Sequence, residues 1–227
     1  MNKMIMMIVV LLPMLSGVLI PLLPFRNRRQ MMIYIETAVL LNTILVFLML
    51  ANPPQNALVL FKFTGNLSVS FRLDGLGRIF AGLISALWPL SVLYSFEYMK
   101  HEKHEKYFFM FYTITYGVTL GVALAEDIVT MYFFFEMLSL ITLPLIMYTL
   151  TREAIHASRT YFYYMTGGAA FAFIGMIFIL SYGTTSNFVP GGVIDLAKVG
   201  DKTNLLLIIY VLCFCGFSVK TAMWPFS

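Results

Sequence analysis

Runs of about twenty apolar residues, parted by short clusters of charge, recur along all 227 residues of this chain, and about twenty is the count a helix needs to cross a hydrocarbon layer roughly 30 Å thick. Hydrophobic residues fill 60% of positions and charged residues 11%, against roughly half and a quarter in ordinary soluble domains. A soluble globular domain is excluded, and the chain reads as an all-α membrane protein with several spans. The apolar segments cover 4–24, 31–50, 76–96, 107–125, 128–150, 160–182 and 205 onward, which makes seven candidate spans. The first is longer than the roughly 7 to 15 apolar residues of a signal peptide and has no A-x-A pattern before Arg26, so it stays as a span.

Between the second and third spans the periodicity changes. After Asn52, Pro53 and Pro54, the run Leu67, Ser68, Val69, Ser70, Phe71, Arg72, Leu73 alternates apolar and polar, the period of a half-exposed strand. Residues 57–73 are expected to form a β-hairpin turning at Gly65-Asn66, with Asp74 capping the third span.

The basic residues set an orientation, because Lys and Arg in short loops stay on the cytoplasmic side. Arg26, Arg28 and Arg29 follow the first span, Lys100, Lys103 and Lys106 the third, and Arg152 and Arg159 the fifth. These three loops share one face, and the amino terminus is expected outside. Lys3, Lys62, Arg72, Lys198 and Lys202 are spread over longer outer segments, with Arg78 at the outer end of the third span. The string KHEKHEK at 100–106 reads as a solvated inner loop of alternating charge, not as a metal site. With no histidine inside the predicted spans, axial ligands for a membrane haem are lacking. Cys213 and Cys215, the two cysteines, lie inside an apolar segment and read as small packing residues without disulfide or zinc chemistry. The excess of 15 Lys+Arg over 11 Asp+Glu is topological and does not point to nucleic acid.

A charge near the bilayer centre costs about 2.5 to 3.5 kcal/mol even on the lenient insertion scale. Two residues stand out against that cost. Glu136 lies about nine residues into IVTMYFFFEMLSLITLPLIMYTL, roughly 13 Å deep at 1.5 Å per residue. Lys220 follows the uncharged run LLLIIYVLCFCGFSV, with Gly216 before it and Pro225 after it to weaken the helix. An interrupted helix frees backbone groups that are tolerated only beside protein or water. Both residues are candidates for a buried ion path, whereas Glu36 and Glu97 are expected at the interfaces.

At these residues the chain resembles a family. DGLGRIFAGLISALWPLSVLYSFEYM at 74–99, the glutamate in YFFFEMLSLITLPLI, YFYYMTGGAAFAFIGMIFILSYGT and GFSVKTAMWPFS are similar to the antiporter-like subunits shared by respiratory complex I, Mrp cation/proton antiporters and membrane-bound hydrogenases. The resemblance implies the first part of that fold with a broken seventh helix, and it matches Glu136 and Lys220 to the family's proton-path glutamate and lysine. It also implies proton translocation, with sodium linkage left open, driven by redox subunits of a complex in a prokaryotic cytoplasmic membrane. Gly216, Ser218 and Thr221 are expected to leave room for water or hydrogen bonds. Ser227 stands where the family often has a histidine, so no relay is assigned there.

Family members continue into a second, inverted repeat, so 1–227 is expected to be one membrane domain, incomplete at its carboxyl end. Trp224-Pro225-Phe226-Ser227 ends on an apolar segment without a polar flank, which a partner supplying the second half would cover. No cofactor, metal or catalytic centre is expected in the chain. The rival readings are a structural half-subunit without transport of its own and a solute carrier.

Overall fold

The computed structural model describes residues 2–64, 67–200 and 202–223. The expected turn at Gly65-Asn66 and the terminal Trp224 to Ser227 lie outside the described residues. Seven long helices and one single-turn helix are present among those described: α1 (Asn2–Leu22), α2 (Arg28–Ala51), α3 (Gly75–Tyr98), α4 (Glu105–Ala123), α5 (Ile128–Ile146), α6 (Arg152–Tyr182), α7 (Leu196–Val199) and α8 (Thr203–Lys220). Strands β1 (Leu58–Thr64) and β2 (Leu67–Phe71) form an antiparallel pair between α2 and α3, where the alternation placed a hairpin. Asp74 caps α3 as expected, its side chain accepting the Gly77 N–H at 2.6 Å.

Six of the long helices are apolar enough to cross a bilayer; α4 falls short of that standard. Tyr107, Tyr112, Tyr116, Thr113, Thr115, Thr119, Gly117 and Gly121 dilute its hydropathy. Its position explains why this is tolerated. α4 packs against α1, α3 and α5, so most of its surface meets protein instead of lipid. Thr115 and Thr119 also turn their hydroxyls back onto the carbonyls of Phe111 and Thr115.

Small residues let these helices approach closely, as membrane bundles require when lipid is as apolar as leucine. A Cβ on Gly117 would collide with the Val10 carbonyl oxygen of α1, and one on Gly17 would press on Ile114 and the Met110 carbonyl of α4. Phe134 of α5 fills the notch left by Gly121. The core runs through α1 to α5 and the hairpin, with Tyr116, Phe71 and Phe109 among its largest enclosed side chains.

Three sequence expectations are corrected. α6 begins at Arg152, not 160, and its 31 residues extend about 46 Å. That exceeds the roughly 30 Å hydrocarbon layer, so its first two turns, with Arg152, Glu153, His156 and Arg159, project beyond it. Strand β2 is not half-exposed: Val69, Ser70 and Phe71 are all buried. Ser70 is accommodated because its hydroxyl donates to Asp127 Oδ2 at 2.9 Å and its N–H to Thr130 Oγ1 at 2.9 Å. The charged string at 100–106 is not wholly solvated either. Glu105 opens α4 and accepts from Arg28 Nε at 2.8 and 2.9 Å, while Arg28 Nη2 also reaches the Phe96 carbonyl. This clamp ties the α1–α2 and α3–α4 loops together at one end of the bundle. The hairpin stands at the other end, where Ser70 joins the start of α5 and residues 126–128 pair in turn with 186–188.

Gly117→Val is expected to cost about 3 kcal/mol, because a backbone carbonyl cannot yield to the added carbons. Gly75→Ala is the control, since its Cβ meets nothing within 4 Å. Thermal unfolding of the detergent-solubilised protein should show a large loss for the first and none for the second.

Candidate functional site

The site is built on α5. Asp127 starts that helix by accepting the Thr130 N–H at 2.7 Å on Oδ1, and the hairpin holds Oδ2, so the helix leaves its first residue in a determined direction. Glu136 is the ninth residue of α5, about 12 Å along its axis. Two hydrogen bonds pin α6 beside it: Tyr132 donates to the Ala169 carbonyl at 3.2 Å, and the hydroxyls of Thr142 and Tyr161 meet at 2.8 Å.

α8 then packs on α6 through glycines on both sides. A Cβ on Gly168 would lie 2.9 Å from the Gly216 carbonyl oxygen, and one on Gly216 would lie 2.6 Å from the Gly168 carbonyl oxygen. One helical turn beyond this crossing is Lys220. Cys213 sits against Gly175, which agrees with its reading as a small packing residue.

Lys220 Nζ donates to Glu136 Oε1 at 2.6 Å and to Ser139 Oγ at 2.8 Å, and it lies 3.9 Å from the centroid of the Phe135 ring. The ammonium is thus held by a carboxylate, a hydroxyl and an aromatic face, all from one turn of α5. It also ends its own helix, where the carbonyl-rich terminus favours a cation. The Lys220 side chain is 5% exposed and that of Glu136 30% exposed.

The helix stops at Lys220 by a recognisable device. Ala222 adopts φ 49°, its N–H meets the Val219 carbonyl at 3.2 Å, and the Met223 N–H meets the Ser218 carbonyl at 3.0 Å. This is the left-handed cap usually given to glycine, here made by alanine. α8 also meets α5 by the ring of Phe217, whose centroid is 5.4 Å from that of Phe135. The backbone crossing is with α6, so α5 and α8 are joined largely by side chains.

The two residues singled out from sequence are therefore brought together. Ser139, Phe135 and Gly168 were missed, although Ser139 stands one turn from Glu136 and Gly168 belongs to an evident Gly-Gly pair. Of Gly216, Ser218 and Thr221, the last two make hydrogen bonds as expected, though within their own helix, while Gly216 leaves no room for water. Gly216 is filled by α6, and the two hydroxyls turn to the Phe214 and Phe217 carbonyls of their own helix. Glu97 is exposed and pairs with Lys100 at 3.1 Å. Glu36 departs from the interfacial reading: it is the ninth residue of α2, and its Oε2 is buried.

Fold and site together define a helical membrane protein with an intramembrane carboxylate–ammonium pair. The family model described as "NADH:quinone oxidoreductase/Mrp antiporter, TM" matches residues 125–227, and that described as "NADH-Ubiquinone oxidoreductase (complex I), chain 5 N-terminus" matches 62–109. A Na(+)/H(+) antiporter subunit from Alkalihalophilus pseudofirmus is 32% identical over 156 residues, covering 67% of this chain and 19% of that protein. A Na(+)/H(+) antiporter subunit from Staphylococcus aureus is 30% identical, covering 68% and 19%.

Among solved structures, an archaeal membrane-bound sulfane sulfur reductase aligns with a TM-score of 0.76 at 17% identity, covering 98% of this chain and 46% of the matched one. Respiratory complex I from Thermus thermophilus aligns at 0.73 and 21% identity, covering 97% and 45%. The chain belongs to the antiporter-like membrane subunits of the complex I and Mrp family. It spans about a fifth of the length of these curated relatives and under half of the matched structural chains.

Removing one partner of the ion pair strands the other, whereas removing both does not. Lys220→Met should cost roughly 2 kcal/mol, less than a fully buried pair because Glu136 is 30% exposed. Glu136→Gln with Lys220→Met should recover at least half of that loss in thermal unfolding.

Proposed function

We propose that this chain is a proton-translocating membrane subunit of a redox-driven complex, with Glu136 and Lys220 on its ion path. The observation that carries the reading is the 2.6 Å contact between two intramembrane charges on helices joined mainly through side chains. A carboxylate beside an ammonium stabilises both charged forms, and parting them in a desolvated site favours neutral lysine. A small separation of α8 from α5, about the Gly168–Gly216 crossing, would therefore release a proton, and its reversal would take one up. Ser139 would steady the ammonium during return. Membership of a family whose curated relatives are Na(+)/H(+) antiporter subunits supports a transport role and leaves Na⁺ as the competing ion.

In this reading all seven long helices span, including α4, and α8, which ends at Lys220, is the first part of a broken seventh span. The chain forms one membrane domain in a prokaryotic cytoplasmic membrane, with its amino terminus outside. Other membrane subunits or further sequence would cover the α6–α8 side and complete the path, and the electrons would come from redox partners. No cofactor is assigned to the chain.

Two measurements test the proposal. In sealed vesicles of the intact complex, Glu136→Gln or Lys220→Met should reduce redox-driven proton pumping at least about tenfold at unchanged complex abundance. Undiminished pumping in both variants would refute the assignment. For topology, single cysteines replacing Lys62 and Lys103, both exposed, should react with an impermeant reagent from opposite sides. Labelling of both from one side would invert or abolish the proposed orientation.

A further inference from the structure

Among the described residues, the buried polar side-chain atoms without a hydrogen-bond partner are Glu36 Oε2, both amide atoms of Asn42, Ser85 Oγ, Trp88 Nε1 and Thr113 Oγ1. All of them lie on α2, α3 or α4, away from the α5–α8 pair. Asn42, Ser85 and Thr113 are fully buried.

Their directions converge. On α2, Thr43 touches α3 and α4, with its Oγ1 3.2 Å from the Ser85 carbonyl oxygen and 3.1 Å from the Tyr116 hydroxyl. Tyr34, on the opposite flank of α2, reaches the Ser16 carbonyl of α1. At about 100° per residue, Asn42 falls between these flanks and points into the space bounded by α1, α3 and α4. On α4, Gly117 packs on α1 while Tyr116 stacks on Trp88 of α3. Thr113 falls between them and points back toward α2. Glu36 shares the Thr43 flank, two turns nearer the Arg28–Glu105 end. The hydroxyls of Ser91 and Tyr112 meet at 2.5 Å on that same side of Thr43.

The sequence supplies these groups deliberately. Pro89 has no N–H to offer the Ser85 carbonyl, which is why that oxygen is free for Thr43. Gly82, one turn from Ser85, leaves its side-chain space to a single neighbour, Leu50, at 3.4 Å. Neither lipid nor the surrounding aliphatic side chains can donate or accept a hydrogen bond, whereas water fills polar interior spaces by binding two to four such groups.

We propose that α1 to α4 enclose a file of bound water, lined by Asn42, Ser85, Thr113 and Tyr116, with the Glu36 carboxyl as its titratable end. This is a second site for water and an exchangeable proton, distinct from the Glu136–Lys220 pair, and it stands whether or not that pair moves ions.

Radiolytic footprinting tests it on the unmodified protein in native membranes, because hydroxyl radicals formed from bound water oxidise the side chains that the water touches. Corrected for intrinsic reactivity, Tyr116 and Trp88 should be oxidised about tenfold faster than Phe71 and Phe134, which are enclosed in the apolar core. Asn42→Leu should suppress the signal at Tyr116, Glu36→Leu the signal at Tyr112, and Glu136→Gln should change neither. Oxidation of Tyr116 and Trp88 no faster than that of the two phenylalanines overturns the proposal without recourse to any variant. Fast oxidation of Tyr116 that survives Asn42→Leu also overturns it.

Discussion

Inside a hydrocarbon layer a polar group has no solvent to turn to, so each must find its partner within the bundle or among trapped water. That constraint organises this molecule from backbone to site. It makes helices of the long apolar runs, turns the hydroxyls of Thr115, Thr119 and Ser218 onto carbonyls of their own helices, and gives the Lys220 ammonium three partners on one turn of α5. The same constraint makes the orphaned groups of α2, α3 and α4 conspicuous.

Close approach is the second requirement, because directed bonds reach only a few ångströms. Glycine provides it at three crossings. Gly17 and Gly117 bring α1 onto α4, Gly121 receives Phe134 of α5, and Gly168 meets Gly216 between α6 and α8. The last crossing has a consequence for the site: it anchors the backbone of α8 to α6 one turn before Lys220, while the bond to α5 is made by the lysine side chain. The helix carrying the cation is thus held by one neighbour and paired with another. The proposed parting of the pair would therefore leave the α6–α8 packing in place.

The two halves of the described structure differ in character. α1 to α5 and the hairpin share a continuous apolar core, clamped at one end by Arg28 and Glu105 and at the other by Asp127, Ser70 and Thr130. α6 and α8 lean against the edge of that unit and expose Phe173, Ile177, Leu207, Ile208, Tyr210 and Val211. The carboxylate thus belongs to the unit with the continuous core and the ammonium to the pair at its edge, as the proposed relative movement of the two charges would require.

Much was legible in the sequence because hydropathy and the cost of an intramembrane charge are local properties. The apolar runs located the long helices, the period-two stretch located the hairpin, and Glu136 and Lys220 announced themselves as charges where charge is expensive. Helix ends were less legible: α6 starts eight residues early because its first two turns, largely exposed, continue the helix through charged residues that hydropathy counts as loop. What only the tertiary structure decided is which groups meet. Glu136 and Lys220 are 84 residues apart in the chain, and nothing local specifies that α8 crosses α6 at Gly168, that Ser139 and Phe135 complete the lysine's surroundings, or that Ser70 is buried against Asp127. Periodicity tells a helix which of its faces is apolar; which neighbour that face meets is set by close packing among all the helices at once.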